Sequence, residues 1–283
     1  KIDVVHINYI SWGPSLARAA KWLNIPIIAR AGGRYTKKNK SIAWVDQYVA
    51  NCKEQAQSQL DSPLKDRVNV VGDLVDTDRI EQDRQKKSDV FVKTEDAINI
   101  VYVGQLSERK GLHILVEAFK SVSSNVHLHL VGGNWQSEGF PQKIQSMLKG
   151  FEIENRVHLH NHRTDAVSII NQSDIFILPS LSEARPRVIL EAMSLGKCII
   201  STKVGGIPDM IEHDKTGLLA DGNDIISLLE QMQRATNDDA LRKQIGDGAA
   251  SYAATCLNPV QTTINYRNVY QKAINELKNN AKK

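Results

Sequence analysis

Short apolar runs alternate with segments of helical periodicity along nearly all of the 283 residues, and that alternation restricts the fold more than any other feature. A strand, a helix and a further strand in succession close most simply as a parallel sheet with helical crossovers, so the class is α/β. In the first part the strand-like runs are 3–8, 26–30, 48–51 and 68–71, with helices near 15–23, 41–47 and 53–60. A cleaner alternation begins at Ile98, with strands 98–103, 126–131, 156–161, 174–179 and 198–201. Helices fall near 110–122, 141–149, 165–171, 187–195, 207–213, 224–235 and 239–254. Residues 81–97 are mostly polar and charged, as in a linker. The length suits two domains, since most hold ~100–200 residues. The expected layout is a partial first domain over 1–80 on a thin four-stranded sheet, the linker 81–97, a second, doubly wound domain over 98–258, and a closing helix over 259–283. In that helix Ile264, Val269, Tyr270, Ile274 and Leu277 recur at roughly helical spacing, which suits packing back on the first domain.

Composition narrows the function classes. With 41% hydrophobic and 24% charged residues the chain can bury a large core. No apolar stretch approaches the ~18–20 residues of a membrane-spanning helix, and the opening KIDVVHINYI has no basic-then-apolar signal layout, which points to the cytoplasm. A net charge of +4 is too mild for a nucleic-acid-binding protein, but it is unevenly placed. Eight basic residues (Lys1, Arg18, Lys21, Arg30, Arg34, Lys37, Lys38, Lys40) precede Asp46 against the single acid Asp3, so the remainder is net acidic. That segment reads either as a solvated face or as a surface for anionic lipid at the inner membrane or for an anionic acceptor. Cys52, Cys198 and Cys256, odd in number and widely spaced, fit reduced core thiols and neither a disulfide frame nor a zinc site.

Chemistry concentrates in two strand–loop–helix passages. After 174–179 comes S-E-A-R-P-R-V-I-L-E-A-M, in which the helix begins near Pro186 or Arg187 and ends at Gly196. Its free N–H groups and dipole, at the carboxyl edge of a parallel sheet, favour a phosphate. Glu183 precedes that helix and Glu191 lies two turns into it, so both are placed to accept hydrogen bonds from hydroxyls flanking the phosphate. Each also has a plainer role, Glu183 as an N-terminal helix charge and Glu191 as a solvated helix residue. After 98–103 comes G-Q-L-S-E-R-K-G, in which Gly104 permits a tight turn and Gly111 a close approach. Arg109 and Lys110 there oppose the dipole of the following helix, which an anion would relieve.

In order along the chain, Gly104-x-Leu106-x-x-x-Lys110-Gly111, Val131-Gly132-Gly133, Arg156-Val157, Pro179-Ser180, Glu183-x7-Glu191-Ala192-Met193, Gly205-Gly206-Ile207-Pro208 and Thr216-Gly217-Leu218-Leu219 resemble the motifs of retaining glycosyltransferases of family 4 (glycosyl transferases group 1). The likeness is close over about 98–235 and looser elsewhere. It implies a GT-B fold of two Rossmann-like doubly wound domains, the first incomplete because the chain opens in what corresponds to mid-domain. It further implies transfer of a sugar from a UDP- or GDP-linked donor to a glycan or lipid-linked acceptor, with retention, without a metal or other cofactor. On the same likeness Arg109 and Lys110 hold the diphosphate with backbone N–H groups near Ala184, Arg185 and Arg187, while Gly104 shapes the loop. Glu191 binds the ribose and Glu183 the transferred sugar. The chain departs from the pattern at Gln105, at Ala184, at Arg30-Ala31-Gly32-Gly33, where many relatives have a histidine next to glycine, and at Asp73-Leu74. Those departures leave open a second reading, a catalytically impaired nucleotide-sugar- or glycan-binding partner of another transferase.

Other chemistries have less support. His127 with His129, and His158 with His160 and His162, alternate along strands, a pattern that zinc sites use, but no further ligands follow at other strand ends, and strand residues near a sheet edge are the plainer account. His6 reads as a satisfied core histidine. The chain has no G-x-G-x-x-G for a nicotinamide cofactor and no G-x-S-x-G around Ser180.

Overall fold

A computed structural model describes residues 1–8, 14–30, 44–59, 62–91, 96–133 and 139–280. The chain divides into two compact units, Lys1–Leu74 with Asn258–Lys283, and Val75–Leu257. The first contains β1 (Val5–Ile7), α1 (Pro14–Trp22), β2 (Ile27–Arg30), β3 (Gln47–Ala50), α2 (Lys53–Gln57) and β4 (Val68–Val70). The second runs through α3 (Thr77–Arg84), β5 (Ile98–Val103), α4 (Leu112–Phe119), β6 (Val126–Val131), α5 (Phe140–Gly150), β7 (Val157–His160), α6 (Ala166–Gln172), β8 (Ile175–Leu178), α7 (Arg187–Ser194), β9 (Cys198–Thr202), β10 (Leu218–Ala220), α8 (Ile225–Asn237) and α9 (Asp239–Cys256). Helix α10 (Pro259–Asn280) then returns to the first unit.

Sheet one is parallel, in the order β1-β2-β3-β4. Its central strands β2 and β3 are covered on both faces, whereas the edge strands β1 and β4 are partly exposed. Ile27, Ala29, Tyr48, Ala50 and Leu64 fill one side. On the other, Ile28, Val49 and Val71 meet Val269 and Ala273 of α10. Gln47, fully buried at the start of β3, is satisfied by donating to Glu276 of α10 at 2.8 Å and accepting from Asn69 at 2.8 Å.

Sheet two has the order β10-β9-β8-β5-β6-β7, all parallel, so the chain runs outward from β5 in one direction and from β8 in the other. Such a doubly wound sheet places a crevice at the carboxyl ends of the two central strands. Asp224 and Asp238 cap α8 and α9, each accepting from backbone N–H groups of the first turn.

Several elements differ from the sequence expectation. The first domain ends at Leu74 and not at 80, and the expected linker 81–97 opens inside a helix. Asp76 caps α3, accepting from the Arg79 N–H at 2.9 Å, while Val75 and Ile80 are buried in the second core and α3 packs on α6 and α7. One buried isoleucine in an otherwise polar helix is too little apolar signal to mark it in the sequence. The expected helix 41–47 falls partly outside the described residues, and its last residue, Gln47, belongs to β3. Residues 207–213 form only a short 3-10 turn, Ile207–Asp209, and β10 was not anticipated. The basic residues Arg34, Lys37, Lys38 and Lys40 lie outside the described residues.

Because Ile80 belongs to the second core, Ile80→Ala should cost about 2–5 kcal/mol of unfolding free energy. Urea unfolding would measure it, and a change near zero would return this segment to the status of a linker.

Candidate functional site

β5 and β8 are hydrogen-bonded neighbours, with Ile100 opposite Ile175 and Val101 opposite Phe176. Their carboxyl ends therefore emerge side by side, and the two passages that carry the candidate residues leave from those ends. Residues 108–110 make a 3-10 turn that stops at Gly111, whose φ of 71° is left-handed. A Cβ there would overlap the Pro179 carbonyl oxygen, so glycine is needed for both conformation and space. The approach is fixed by a backbone hydrogen bond in which the Leu181 N–H donates to the Arg109 carbonyl at 2.9 Å. Gly104 is held from the other side, its N–H donating to the Val131 carbonyl at 3.0 Å.

Once the loops are joined, the charged side chains meet. Lys110 Nζ forms an ion pair with Glu183 Oε1, and only 13% and 9% of the two side chains are exposed. The Ser180 hydroxyl donates to the same Glu183 oxygen at 2.9 Å, and the Ser180 carbonyl accepts from Thr202 at 2.6 Å, which ties the carboxylate to β9. Arg109 is more exposed and donates from Nη1 to the Ser182 carbonyl at 2.9 Å. The Tyr102 phenol donates to the Gln105 carbonyl at 2.7 Å, and its pKa is pushed up by burial and then by the charge of Glu183.

Helix α7 opens at Pro186 without a side-chain cap. Among the described residues, the backbone N–H groups of Ser182, Glu183, Ala184 and Arg185 donate to nothing, unlike that of Leu181. Arg185 Nε is buried without a partner, and Arg187 is exposed. Glu191 is partly buried on α7 and receives no hydrogen bond from a described residue. Burial raises its pKa, while Arg79 and then Arg187 pull it back down. The arrangement thus combines a run of free donors, cations at its edge and an unspent carboxylate, a set suited to an anion flanked by hydroxyl groups.

All the expected site residues of the second unit lie in these two passages. Sequence reasoning missed Ser180 as the residue that holds Glu183; the S-x-x-E spacing was the available signal. It also missed Arg79, which reaches the surroundings of Glu191 from a helix 112 positions earlier, and no local pattern reveals such a neighbour. Among the described residues no group of three or more His, Cys, Asp or Glu is arranged to hold a metal ion.

The family model for glycosyl transferases group 1 matches residues 83–252, more than half of the chain and both passages of the site. The chain belongs to that family. Among curated relatives, the capsular polysaccharide biosynthesis glycosyltransferase CapM of Staphylococcus aureus is 30% identical over 174 residues, covering 60% of this chain and 45% of CapM. The N-acetyl-alpha-D-glucosaminyl L-malate synthase of Bacillus anthracis is 27% identical over 184 residues, covering 64% of this chain and 47% of that enzyme. This chain thus spans under half the length of those relatives. Among solved structures, Anabaena HepE in complex with UDP and glucose superposes with a TM-score of 0.83 at 19% identity, covering 95% of this chain and 77% of HepE. The fold is therefore that of GT-B glycosyltransferases, with two parallel-sheet α/β units.

For a group 1 glycosyltransferase the Lys110–Glu183 pair is also a structural element. Glu183→Gln, which leaves the ammonium without its carboxylate, should cost about 3–5 kcal/mol in urea unfolding. The double variant Lys110→Met/Glu183→Gln should recover most of that loss; equal losses in both would mean that the pair itself contributes little.

Proposed function

We propose that the second unit binds a nucleotide-diphospho-sugar at the β5–β8 junction and that the protein transfers the sugar, with retention of configuration, to a glycan or lipid-linked acceptor. The observation that carries this reading is the Glu191 carboxylate, partly buried and without a hydrogen bond from a described residue, on the same helix whose free N–H groups suit a phosphate. A partly desolvated carboxylate with accepting capacity to spare is suited to hydroxyl donors, and paired ribose hydroxyls would supply them. Lys110 and Arg109 then neutralise the diphosphate, together with the N–H groups near Ala184, Arg185 and Arg187. When Lys110 turns to phosphate, Glu183 is released to accept hydroxyl groups of the sugar.

The bond between the anomeric carbon and the diphosphate oxygen breaks as the acceptor oxygen bonds to that carbon, and the acceptor proton leaves with the diphosphate. Two cations and the α7 dipole supply the charge that stabilises the leaving group, so no metal enters the scheme. HepE holds UDP and glucose in its crystal structure, which favours UDP over GDP as the first probe.

Calorimetric titration with UDP tests the donor site. Lys110→Ala and Glu191→Ala should each weaken UDP by about one to two orders of magnitude, the loss of a hydrogen bond to a charged group. Unchanged affinity in Glu191→Ala would overturn the ribose assignment. Release of sugar from UDP-glucose, by hydrolysis or transfer, identifies an enzyme; binding without turnover identifies a partner of another transferase.

A cytoplasmic protein with peripheral membrane contact completes the proposal. Leu16, Trp22 and Leu23 are 51%, 85% and 56% exposed at α1, beside the exposed Arg18 and Lys21, an apolar-and-basic combination suited to anionic lipid. No helix among the described residues is long and apolar enough to cross a membrane. The protein should sediment with phosphatidylglycerol-containing vesicles at low salt, and Trp22→Ala should release it; salt-insensitive binding or none would count against this contact.

A further inference from the structure

Four imidazoles that the proposed reaction does not use line one face of the outer strands of sheet two. His127 and His129 alternate along β6 and His158 and His160 along β7, with His129 directly opposite His158 in the parallel register. The rings stack in sequence, with centroids 5.3 Å apart for His127 and His158, 4.7 Å for His129 and His158, and 5.4 Å for His129 and His160. Their nitrogens meet in pairs: His127 Nδ1 with His158 Nε2 at 3.1 Å, and His129 Nδ1 with His160 Nε2 at 3.2 Å. His129 Nε2 reaches Asn99 Oδ1 at 3.0 Å. His129 is fully buried, and Phe91 meets its ring edge-on at 5.1 Å.

The hydrogen bonds fix the proton count. Asn99 Oδ1 only accepts, so His129 carries its proton on Nε2 and its Nδ1 must accept from His160. A ring-to-ring bond of this kind needs one bare nitrogen, so both rings of a pair cannot be protonated without setting two N–H groups against each other. Surrounding charge gives little relief. Arg156 faces His127; Arg163 faces His160, with Asp89 opposing it and Asp165 already paired to Arg163; Asp174 is spent on the Asn99 N–H at 2.7 Å. The nearest titratable neighbours of His129 are the other three histidines.

The stretch that covers this face is lightly held. At Lys86 its carbonyl accepts from Ser168 at 2.6 Å and from Gln172 at 3.2 Å. Beyond that point the holds among the described residues are the burial of Ser88, the surface ion pair of Asp89 with Arg163, and the packing of Val90 and Phe91 against the core, with Phe91 seated on His129. An exposed ion pair contributes little. We propose that the ladder is a proton-operated latch: neutral, it seats the segment 86–91 against β6 and β7, and acidification releases that segment. Burial, then the neighbouring histidines, hold His129 at a pKa of about 3, and burial also lowers His127, His158 and His160. In the unfolded or released chain each imidazole takes its proton near ~6.5. Stability from the latch is therefore complete above that pH and is lost as the pH falls below it. Each imidazole kept neutral shifts the opening equilibrium by about tenfold per pH unit.

The test is hydrogen–deuterium exchange of the whole protein at pH 7.5 and 5.0, corrected for intrinsic rates, read at 86–91 and β7 with α4 as the internal reference. In the wild type, exchange of 86–91 and β7 should rise at least tenfold at pH 5.0 while α4 holds steady. In His129→Gln/His158→Gln, in which amides replace the two central rings and leave His127 and His160 as separate, partly exposed imidazoles, the pH response should shrink to a small fraction. No acid response in the wild type, or an equal response in the double variant, would overturn the proposal. If the double variant does not fold, ring-proton NMR of the wild type decides: independent titrations near the free histidine value would overturn it, and coupled titrations displaced to lower pH would support it.

Discussion

The Pro179 carbonyl occupies the space that a side chain at position 111 would need, and the geometry of the second unit's chemistry follows from that contact. Because Gly111 gives way, the turn after β5 presses against the end of β8 and the Arg109 carbonyl can accept from Leu181. Two loops that would otherwise be independent become one backbone unit. Lys110 and Glu183, 73 positions apart, then meet with their positions set by main chain and not by long side chains searching solvent. Backbone held by packed elements in this way keeps its position when a ligand arrives, so that only side chains need turn.

The second sheet could be read from the chain because its strands are buried on both faces. INIVYV and DIFILP are apolar except for Asn99 and Asp174, are bounded by turn residues, and match β5 and β8 closely. Helix α3 was illegible for the opposite reason, since TDRIEQDR offers one core residue and otherwise solvated side chains. β10 is three residues long and gives no period to detect. In the site, the placing of Gly111, Lys110 and Glu183 at neighbouring strand ends followed from motif and position. The link from Ser180 through Thr202 to β9, and the presence of Arg79 near Glu191, depend on tertiary neighbours that no local pattern encodes.

Glu183 and Glu191 meet the loss of solvent in different ways. Glu183 has a lysine and a hydroxyl, so its charge is met inside the fold. Glu191 has neither, and burial raises its pKa; a carboxyl raised in the folded state favours folding below the ordinary carboxylate range and opposes it as the pH rises. At neutral pH the fold therefore carries a destabilised group at the place where a hydroxyl-bearing ligand is expected, a common trade of stability for binding.

Helix α10 adds a temporal asymmetry. The first unit takes Val269 and Ala273 from a helix encoded after the whole of Val75–Leu257. Domains usually complete themselves in the order in which they leave the ribosome, at ~5–20 residues per second. Here the continuous second unit can finish first, and the earlier one waits about ten to forty seconds for its last helix. During that interval Ile28, Val49 and Val71 have water against them in place of α10, which makes the nascent first unit the part of this chain most in need of a chaperone.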